Sequence, residues 1–202
     1  MIETLETLGI RPVTDFTAAD GVAPAGERLE AVRQAATRYR ERFREDGYVQ
    51  AVRTCDLITL PYPTQYAFWH ANQHPSPYLM FTNRMLVVRY VDWTGTRRTL
   101  LFNPTDYVRA AEVPFYKRLA ERYGKLLSEV VLTSRHGDVL GHLQRLGIGL
   151  DEVDYLSFDH LHTQDLRGWL GPQGAFPRAK LLVNEAEWRI FERLHPLQTP
   201  WY

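Results

Sequence analysis

Residues 153–168 read VDYLSFDHLHTQDLRG, and this stretch bears on the fold more than any other part of the chain. Its first six residues alternate apolar and polar side chains, as a half-buried β-strand does. His160 and His162 follow one residue apart, and Asp165 comes three residues later. Because side chains of an extended chain alternate between two faces, we expect both imidazoles to leave the end of the strand on the same side.

This combination of side chains predicts a metal site. Imidazole is the commonest protein ligand of metal ions near neutral pH, and a carboxylate often completes a catalytic zinc site. We therefore expect His160, His162 and Asp165 to bind one ion, with Asp165 folding back across a short loop. Two other interpretations stay open: the histidine pair can be structural, and Asp165 can cap the turn into residues 166–170. For Asp159 we expect a hydrogen bond to a neighbouring group, not metal binding.

Composition limits the classes of protein to which the chain can belong. The 202 residues are 45% hydrophobic and 12% aromatic, enough for a real core. Lys plus Arg and Asp plus Glu balance at 24 each, so the overall charge does not favour nucleic acid or an anionic membrane as a partner. The single cysteine, Cys55, can form no internal disulfide and no Cys-type zinc site. We see no signal-peptide pattern and no membrane-length apolar run, and expect a soluble cytoplasmic protein.

The first half of the chain predicts one helix and several strands. A helix over 25–45 follows from apolar residues at three- and four-residue steps, and Gly47 ends it. A strand over 49–60 precedes 61–77, whose Pro, Tyr, His and Asn residues predict a loop. Residues 79–92 and 97–102 then predict a β-hairpin, with its turn at 93–96.

The second half alternates helices and strands, and the whole chain therefore predicts the α/β class. Asp138 is the expected N-cap of one helix, and Gly147 is its expected end. The predicted elements are a helix at 113–127, a strand at 130–133, a helix at 138–146, a strand at 153–158, a strand at 179–183 and a helix at 185–194.

The aromatic loop admits two interpretations. Its residues Tyr62, Tyr66, Phe68 and Trp69, with Tyr78, predict either packing or a substrate gate. His70 and His74 in the same loop either line a pocket or face solvent. For Cys55 as a nucleophile, no Cys-His arrangement is visible in the sequence.

Five motifs in one order resemble the metallo-β-lactamase superfamily, and its lactonase-like and general metallo-hydrolase members most of all. The match is best over residues 130–191. It implies a sandwich of two mixed sheets flanked by helices, of which the chain resembles the first half. We expect one such domain over 1–202, with a helical extension at about 1–47. The motifs are Leu143-x-x-Leu146-Gly147-Ile148, Val153-Asp154-Tyr155, the His160-x-His162 loop, Phe176-Pro177-x-Ala179-Lys180-Leu181-Leu182-Val183 and Glu185-x-Glu187-Trp188.

The signature loop of that superfamily is kept in part. His160 and His162 match the two ligands of the first metal, whereas Gln164 stands where the family has an aspartate and Asp165 where it has a histidine. A neutral amide is a poor metal ligand and cannot act as a general base. The catalytic role therefore passes to Asp165 in this interpretation. The family's third histidine, in a Gly-His-Thr segment, has no counterpart before Tyr202, and so we expect a homo-oligomer or a complementing C-terminal polypeptide.

The resemblance implies a metal-dependent hydrolase of the zinc type, with one or two divalent ions, manganese and iron also being possible. Its substrate would be a small molecule with an ester, lactone, thioester or similar bond, and we expect neither nucleic acid nor a membrane as partner. The alternative is a catalytically inactive remnant of the fold that serves as a binding or assembly module. The altered loop and the missing third histidine favour that alternative.

Overall fold

The computed structural model describes residues 10–68, 71, 75–123 and 133–199. Within them the strands are β1 (Val49–Pro63), β2 (Tyr78–Val91), β3 (Arg97–Phe102), β4 (Ser134–Arg135), β5 (Tyr155–Ser157) and β6 (Lys180–Leu182). The helices are α1 (Thr17–Asp20), α2 (Ala25–Asp46), α3 (Thr64–Phe68), α4 (Tyr107–Ala110), α5 (Pro114–Tyr123), α6 (Val139–Arg145) and α7 (Glu185–Glu192). A short 3-10 helix covers Leu150–Glu152.

The described strands form one mixed sheet in the order β4-β1-β2-β3-β5-β6. β1 pairs with β4 in antiparallel fashion, with Ile58 opposite Arg135. β5 runs parallel to both of its neighbours, with Leu156 opposite Leu101 of β3 and Leu181 of β6. The predicted α/β class, with a mixed sheet and helices, is confirmed.

Several local predictions are confirmed by the structure. α2 begins at Ala25 as predicted, and Gly47 ends it with φ at 64°, a conformation that glycine adopts without the steric cost of a side chain. The turn between β2 and β3 follows Asp92, as the hairpin predicted. The Asp138 carboxylate caps α6 by accepting a hydrogen bond of 2.6 Å from the Gly141 amide.

One prediction was wrong, and others fall outside the described residues. The segment 61–77 is not a loop throughout, because β1 continues to Pro63 and α3 follows at once. The reason is local: a proline disfavours the helical conformation of the residue before it, so that Pro61 and Pro63 keep Leu60 and Tyr62 extended. The predicted strand at 130–133 lies almost entirely outside the described residues, as do His70, His74 and Trp69.

The chain divides into two compact units. The first contains the described residues of Met1–Ala51 and Arg89–Arg98, and the second contains those of Val52–Val88 and Thr99–Tyr202. In the first unit, α2 packs by its aromatic residues, with Tyr39 5.8 Å from both Phe16 and Phe43 between ring centroids. That the whole chain is one domain with a helical extension stays a prediction.

The second unit holds the main hydrophobic core, which surrounds β5. Leu156 and Leu101 are fully buried, and Val139 and Leu143 of α6 are buried in the same cluster. Trp169 and Phe176 extend the cluster, with ring centroids 5.4 Å apart. The core therefore supports the strand from which the histidine loop leaves. None of the helices in the described ranges has both the length and the apolar character that crossing a bilayer requires.

Candidate functional site

The candidate site is the loop that follows β5, and it lies at the carboxyl end of the parallel strands. Asn103, directly after β3, holds the start of this loop in two ways. Its backbone N–H donates to the Ser157 carbonyl at 2.8 Å, and its side-chain Oδ1 accepts a hydrogen bond from the Asp159 amide at 2.9 Å. Asn103 has φ at 55°, a left-handed conformation that asparagine adopts more readily than most residues.

The structure brings the two predicted histidines together. The ring centroids of His160 and His162 lie 4.8 Å apart, with 39° between the ring planes. Both side chains are partly exposed. That the two imidazoles bind a metal ion stays a prediction.

Each ring nitrogen of His160 has a partner. Nδ1 lies 3.0 Å from the Asp159 carboxylate, and Nε2 lies 3.2 Å from the Thr163 hydroxyl. A carboxylate can only accept a hydrogen bond, so that Nδ1 is the donor to Asp159, and in the neutral imidazole Nε2 then carries the lone pair. Asp159 thus makes a hydrogen bond to a neighbouring group, as the sequence predicted.

The Thr163 hydroxyl is the centre of a small hydrogen-bond network. Besides His160, it contacts the Gln164 amide Nε2 at 3.3 Å and is hydrogen-bonded to the Tyr116 hydroxyl. Burial raises the pKa of Tyr116, and the hydrogen bond with Thr163 opposes that rise. Gln164 thus donates to a neighbouring hydroxyl, and Tyr116 keeps its proton at neutral pH.

His162 is held by aromatic packing. The Phe115 ring meets it edge to face, with centroids 5.2 Å apart and 83° between the planes. Burial lowers the pKa of His162, the nearby His160 lowers it further, and the Asp159 carboxylate opposes both effects. His162 is therefore neutral at physiological pH, which is the form that binds metals.

Asp165 has a different environment. Its side chain is only 4% exposed. Arg167 donates hydrogen bonds to both carboxylate oxygens, with Nε 2.9 Å from Oδ1 and Nη2 2.5 Å from Oδ2. The Arg167 backbone amide also donates to Oδ1 at 3.0 Å. Hydrogen bonding by Arg167 lowers the pKa of Asp165 although burial opposes it, so that the carboxylate is ionised and paired. The hydrogen bond from the Arg167 backbone amide to the Asp165 carboxylate agrees with the interpretation of Asp165 as a cap of the following turn.

The fit of these residues to a catalytic zinc ion is partial. Two imidazoles are adjacent, and a carboxylate is hydrogen-bonded to one of them. Among residues 10–68, 71, 75–123 and 133–199, however, no three His, Cys, Asp or Glu side chains lie close enough to hold a metal ion. The structure thus unites His160 with His162 but does not add Asp165 to them, and the role of Asp165 as a ligand stays a prediction.

Sequence reasoning missed three residues that shape the loop. The sequence assigned no role in the loop to Asn103 or Phe115, and Glu187 stood out only as part of a motif. Glu187 of α7 accepts a hydrogen bond of 2.6 Å from the Leu161 amide, between the two histidines. An Asn at the end of one strand and an acidic residue in the first turn of a later helix were visible signals, but neither identifies its partner.

The aromatic residues near β2 pack against one another. The centroid of the Phe81 ring is 5.8 Å from that of Tyr62 and 6.0 Å from that of Phe68. This agrees with the packing interpretation of Tyr62 and Phe68. Tyr78 and Phe81 are nevertheless partly open to solvent.

No family model and no curated protein matches the chain. Solved structures do match. A quorum-quenching N-acyl homoserine lactone lactonase is 14% identical with a TM-score of 0.46, over 72% of this chain and 50% of that one. A probable metal-dependent hydrolase from Staphylococcus aureus is 11% identical with a TM-score of 0.47, over the same shares. The hydrolase AbOPH in the beta lactamase superfamily is 19% identical with a TM-score of 0.41, over 75% of this chain and 48% of that one.

The chain thus spans about half the length of the solved structures it matches.

Proposed function

We propose that this chain carries the histidine pair of a metal-dependent hydrolase that acts on an ester, lactone, thioester or similar bond in a small molecule. The observation that supports it is the adjacency of His160 and His162, with Asp159 orienting the His160 ring. A carboxylate on one ring nitrogen is a common means of orienting a metal-binding histidine.

In this proposal the residues of the loop have separate tasks. His160 and His162 hold a zinc-type ion, and Asp159 keeps the lone pair of His160 Nε2 directed at it. The ion, when bound, lowers the pKa of a coordinated water to about 7 and polarises the scissile carbonyl. The Thr163 hydroxyl, now on Nε2, would have to turn away to admit the ion.

A zinc-type ion needs further ligands besides His160 and His162. Asp165 would serve as a ligand, or orient the attacking water, only after releasing Arg167. Otherwise the third ligand comes from outside the described residues, from further polypeptide or from a second chain.

Metal analysis tests the proposal directly. Purified protein, stripped with chelator and reloaded with zinc, should retain zinc after desalting, and the His160→Ala/His162→Ala double variant should lose it. His195→Ala, which removes an exposed histidine elsewhere, is the matched control and should retain as much zinc as the unaltered protein. An equal zinc content in the double variant and the unaltered protein would contradict the proposal.

A second function, a catalytically inactive binding or assembly module, is favoured by one specific contact. The bidentate pairing of Arg167 with Asp165, next to a Gln164 that cannot replace a carboxylate, occupies both oxygens that Asp165 would offer to a metal ion. A panel of ester, lactone and thioester substrates with added zinc, manganese or iron separates the two functions. Turnover that chelator abolishes excludes the inactive module, and no turnover with any metal excludes a hydrolase made of this chain alone.

A further inference from the structure

The amide between the two histidines is bound by a distant side chain. Leu161 donates its N–H to Oε1 of Glu187 at 2.6 Å, although 26 residues separate them in the chain. Glu187 lies in the first turn of α7, whose start is fixed by the Asn184 side chain accepting a hydrogen bond from the Ala186 amide at 2.8 Å. The carboxylate therefore projects from a capped, ordered helix end.

The same loop is held on its other side. The Asn103 side chain accepts from the Asp159 amide, one residue before His160, and the Leu161 side chain is buried in the core with 7% exposed. Asn103 and Glu187 thus bind two amides that flank His160. The peptide groups that carry the Asp159 and Leu161 amides cannot rotate without breaking one of these bonds.

We propose that Glu187 is a positioning residue for the histidine pair, acting through the Leu161 amide to keep the two imidazoles adjacent. The Leu161 N–H lies between the two histidine Cα atoms, and its direction governs how both side chains leave the backbone. A carboxylate acceptor makes this bond charge-assisted, and such bonds are about twice as strong as those between neutral groups. The expected effect of Glu187 on metal binding rests on the function proposed above. Its effect on the positions of the two imidazoles does not.

Two substitutions separate positioning from general stability. Glu187→Ala removes the acceptor, whereas Glu187→Gln keeps an oxygen at the same place and should restore most of the geometry. Glu192→Ala, which removes an exposed carboxylate from the same helix, is the matched control. Circular dichroism and thermal melting establish that each variant is folded before it is compared.

The first measurement is made by NMR on metal-free protein. We expect Glu187→Ala to increase the hydrogen-exchange rate of the Leu161 amide about tenfold or more, which corresponds to about 1.4 kcal/mol. We also expect it to weaken the nuclear Overhauser contacts between the His160 and His162 rings. Glu187→Gln and Glu192→Ala should leave both signals close to those of the unaltered protein. Unchanged exchange and unchanged ring contacts in Glu187→Ala would overturn the positioning role.

The second measurement is zinc titration by calorimetry. Loss of a group that orients metal ligands typically weakens metal binding by about 10- to 100-fold, and we expect a loss in that range for Glu187→Ala and little loss for Glu187→Gln. If the unaltered protein itself binds no zinc, the proposed function fails, and the NMR result alone decides the positioning role. If Glu187→Ala disturbs the rings but leaves zinc affinity unchanged, Glu187 has no role in the metal site.

Discussion

At the scale of the residue, Asp165 is the side chain whose environment differs most from its expected role. A carboxylate that is 4% exposed is stable in the ionised form only with a partner, and Arg167 supplies one while remaining 82% exposed itself. If the two side chains separated, the buried Asp165 carboxylate would be left without a partner, whereas the exposed Arg167 would be solvated by water. The pairing also makes Arg167 a competitor of any metal ion for the same two oxygens.

Replacing Arg167 by Gln should lower the free energy of unfolding, because a buried carboxylate then loses its charged partner. Urea unfolding at pH 7 measures the change. Arg178→Gln is the control, since Arg178 is 64% exposed and 3.9 Å from Asp154, and it should change stability by less than about 0.5 kcal/mol.

The Arg167→Gln variant also separates two roles of Asp165. If Asp165 is a metal ligand, freeing it from Arg167 strengthens zinc binding, and Asp165→Asn in the same background removes the gain. Zinc affinity that is equal in all three proteins would leave Asp165 a structural residue.

Asn103 combines an unusual backbone conformation with a side-chain contact, and two substitutions divide these effects. Asn103→Gly keeps the positive φ but loses the acceptor for the Asp159 amide, and we expect a loss of about 1 kcal/mol. Asn103→Ala loses the same acceptor but keeps a Cβ in the left-handed region, which alanine tolerates less well than asparagine, and we expect it to be about 1 kcal/mol less stable than Asn103→Gly. Equal urea midpoints for the two variants would show that backbone strain contributes nothing here.

At the scale of the element, the turn between β2 and β3 is stabilised by one buried carboxylate. Asp92 is 1% exposed on its side chain and accepts from the Thr94 amide and hydroxyl, the Thr96 amide and Arg98 Nε, at 2.6 to 2.9 Å. Burial by itself raises the pKa of Asp92, but these hydrogen bonds prevail and lower it to about 2. The turn therefore depends on the ionised form.

This pKa predicts a loss of stability in acid. The folded value of about 2 lies below the ordinary 3.8, so that the stabilisation is complete above about pH 4 and is lost as the pH falls towards 2. The difference corresponds to about 2 kcal/mol. Between pH 5 and pH 2 the unaltered protein should lose about 2 kcal/mol more than Asp92→Asn, measured by urea unfolding. Asp151→Asn, at an exposed position, should lose as much as the unaltered protein.

β5 shows how a short element positions a site. It has three residues, yet it is paired in parallel on both sides, and Tyr155 and Leu156 are both buried. Its loop consequently leaves a well-packed strand end. Partners from three other elements then hold the loop: Asn103 after β3, Phe115 and Tyr116 of α5, and Glu187 of α7.

At the scale of the whole molecule, the balance of charges and the exposed apolar side chains both affect solubility. The formal net charge at pH 7 is zero, and Met80 and Phe81 of β2 are 53% and 38% exposed. A molecule without net charge has little electrostatic repulsion between copies, so that apolar contacts between them are less opposed.

Solubility should therefore pass through a minimum near neutral pH, close to the isoelectric point of about 7.1 that the sequence implies. Light scattering across pH 5–9 measures it. Met80→Lys adds charge at an exposed apolar position, and it should raise solubility at pH 7 and move the minimum to higher pH. Solubility that is highest at pH 7 would contradict this prediction.

The sequence by itself determined several of the elements and the proximity of the two histidines in the loop after β5. Periodicity predicted α2, the hairpin and β5, because local apolar patterns and turn residues act over a few positions. The same reasoning predicted that His160 and His162 lie together, since only two residues of extended chain are involved.

Only the tertiary structure decided what each polar side chain binds. Asp165 pairs with Arg167, the Asp159 amide with Asn103 across 56 residues, and the Leu161 amide with Glu187 across 26. The physical reason is that a buried polar group must have a hydrogen-bond partner, but the sequence contains several residues that could be that partner. Which partner is taken depends on how the sheet brings distant strand ends and helix ends to one edge.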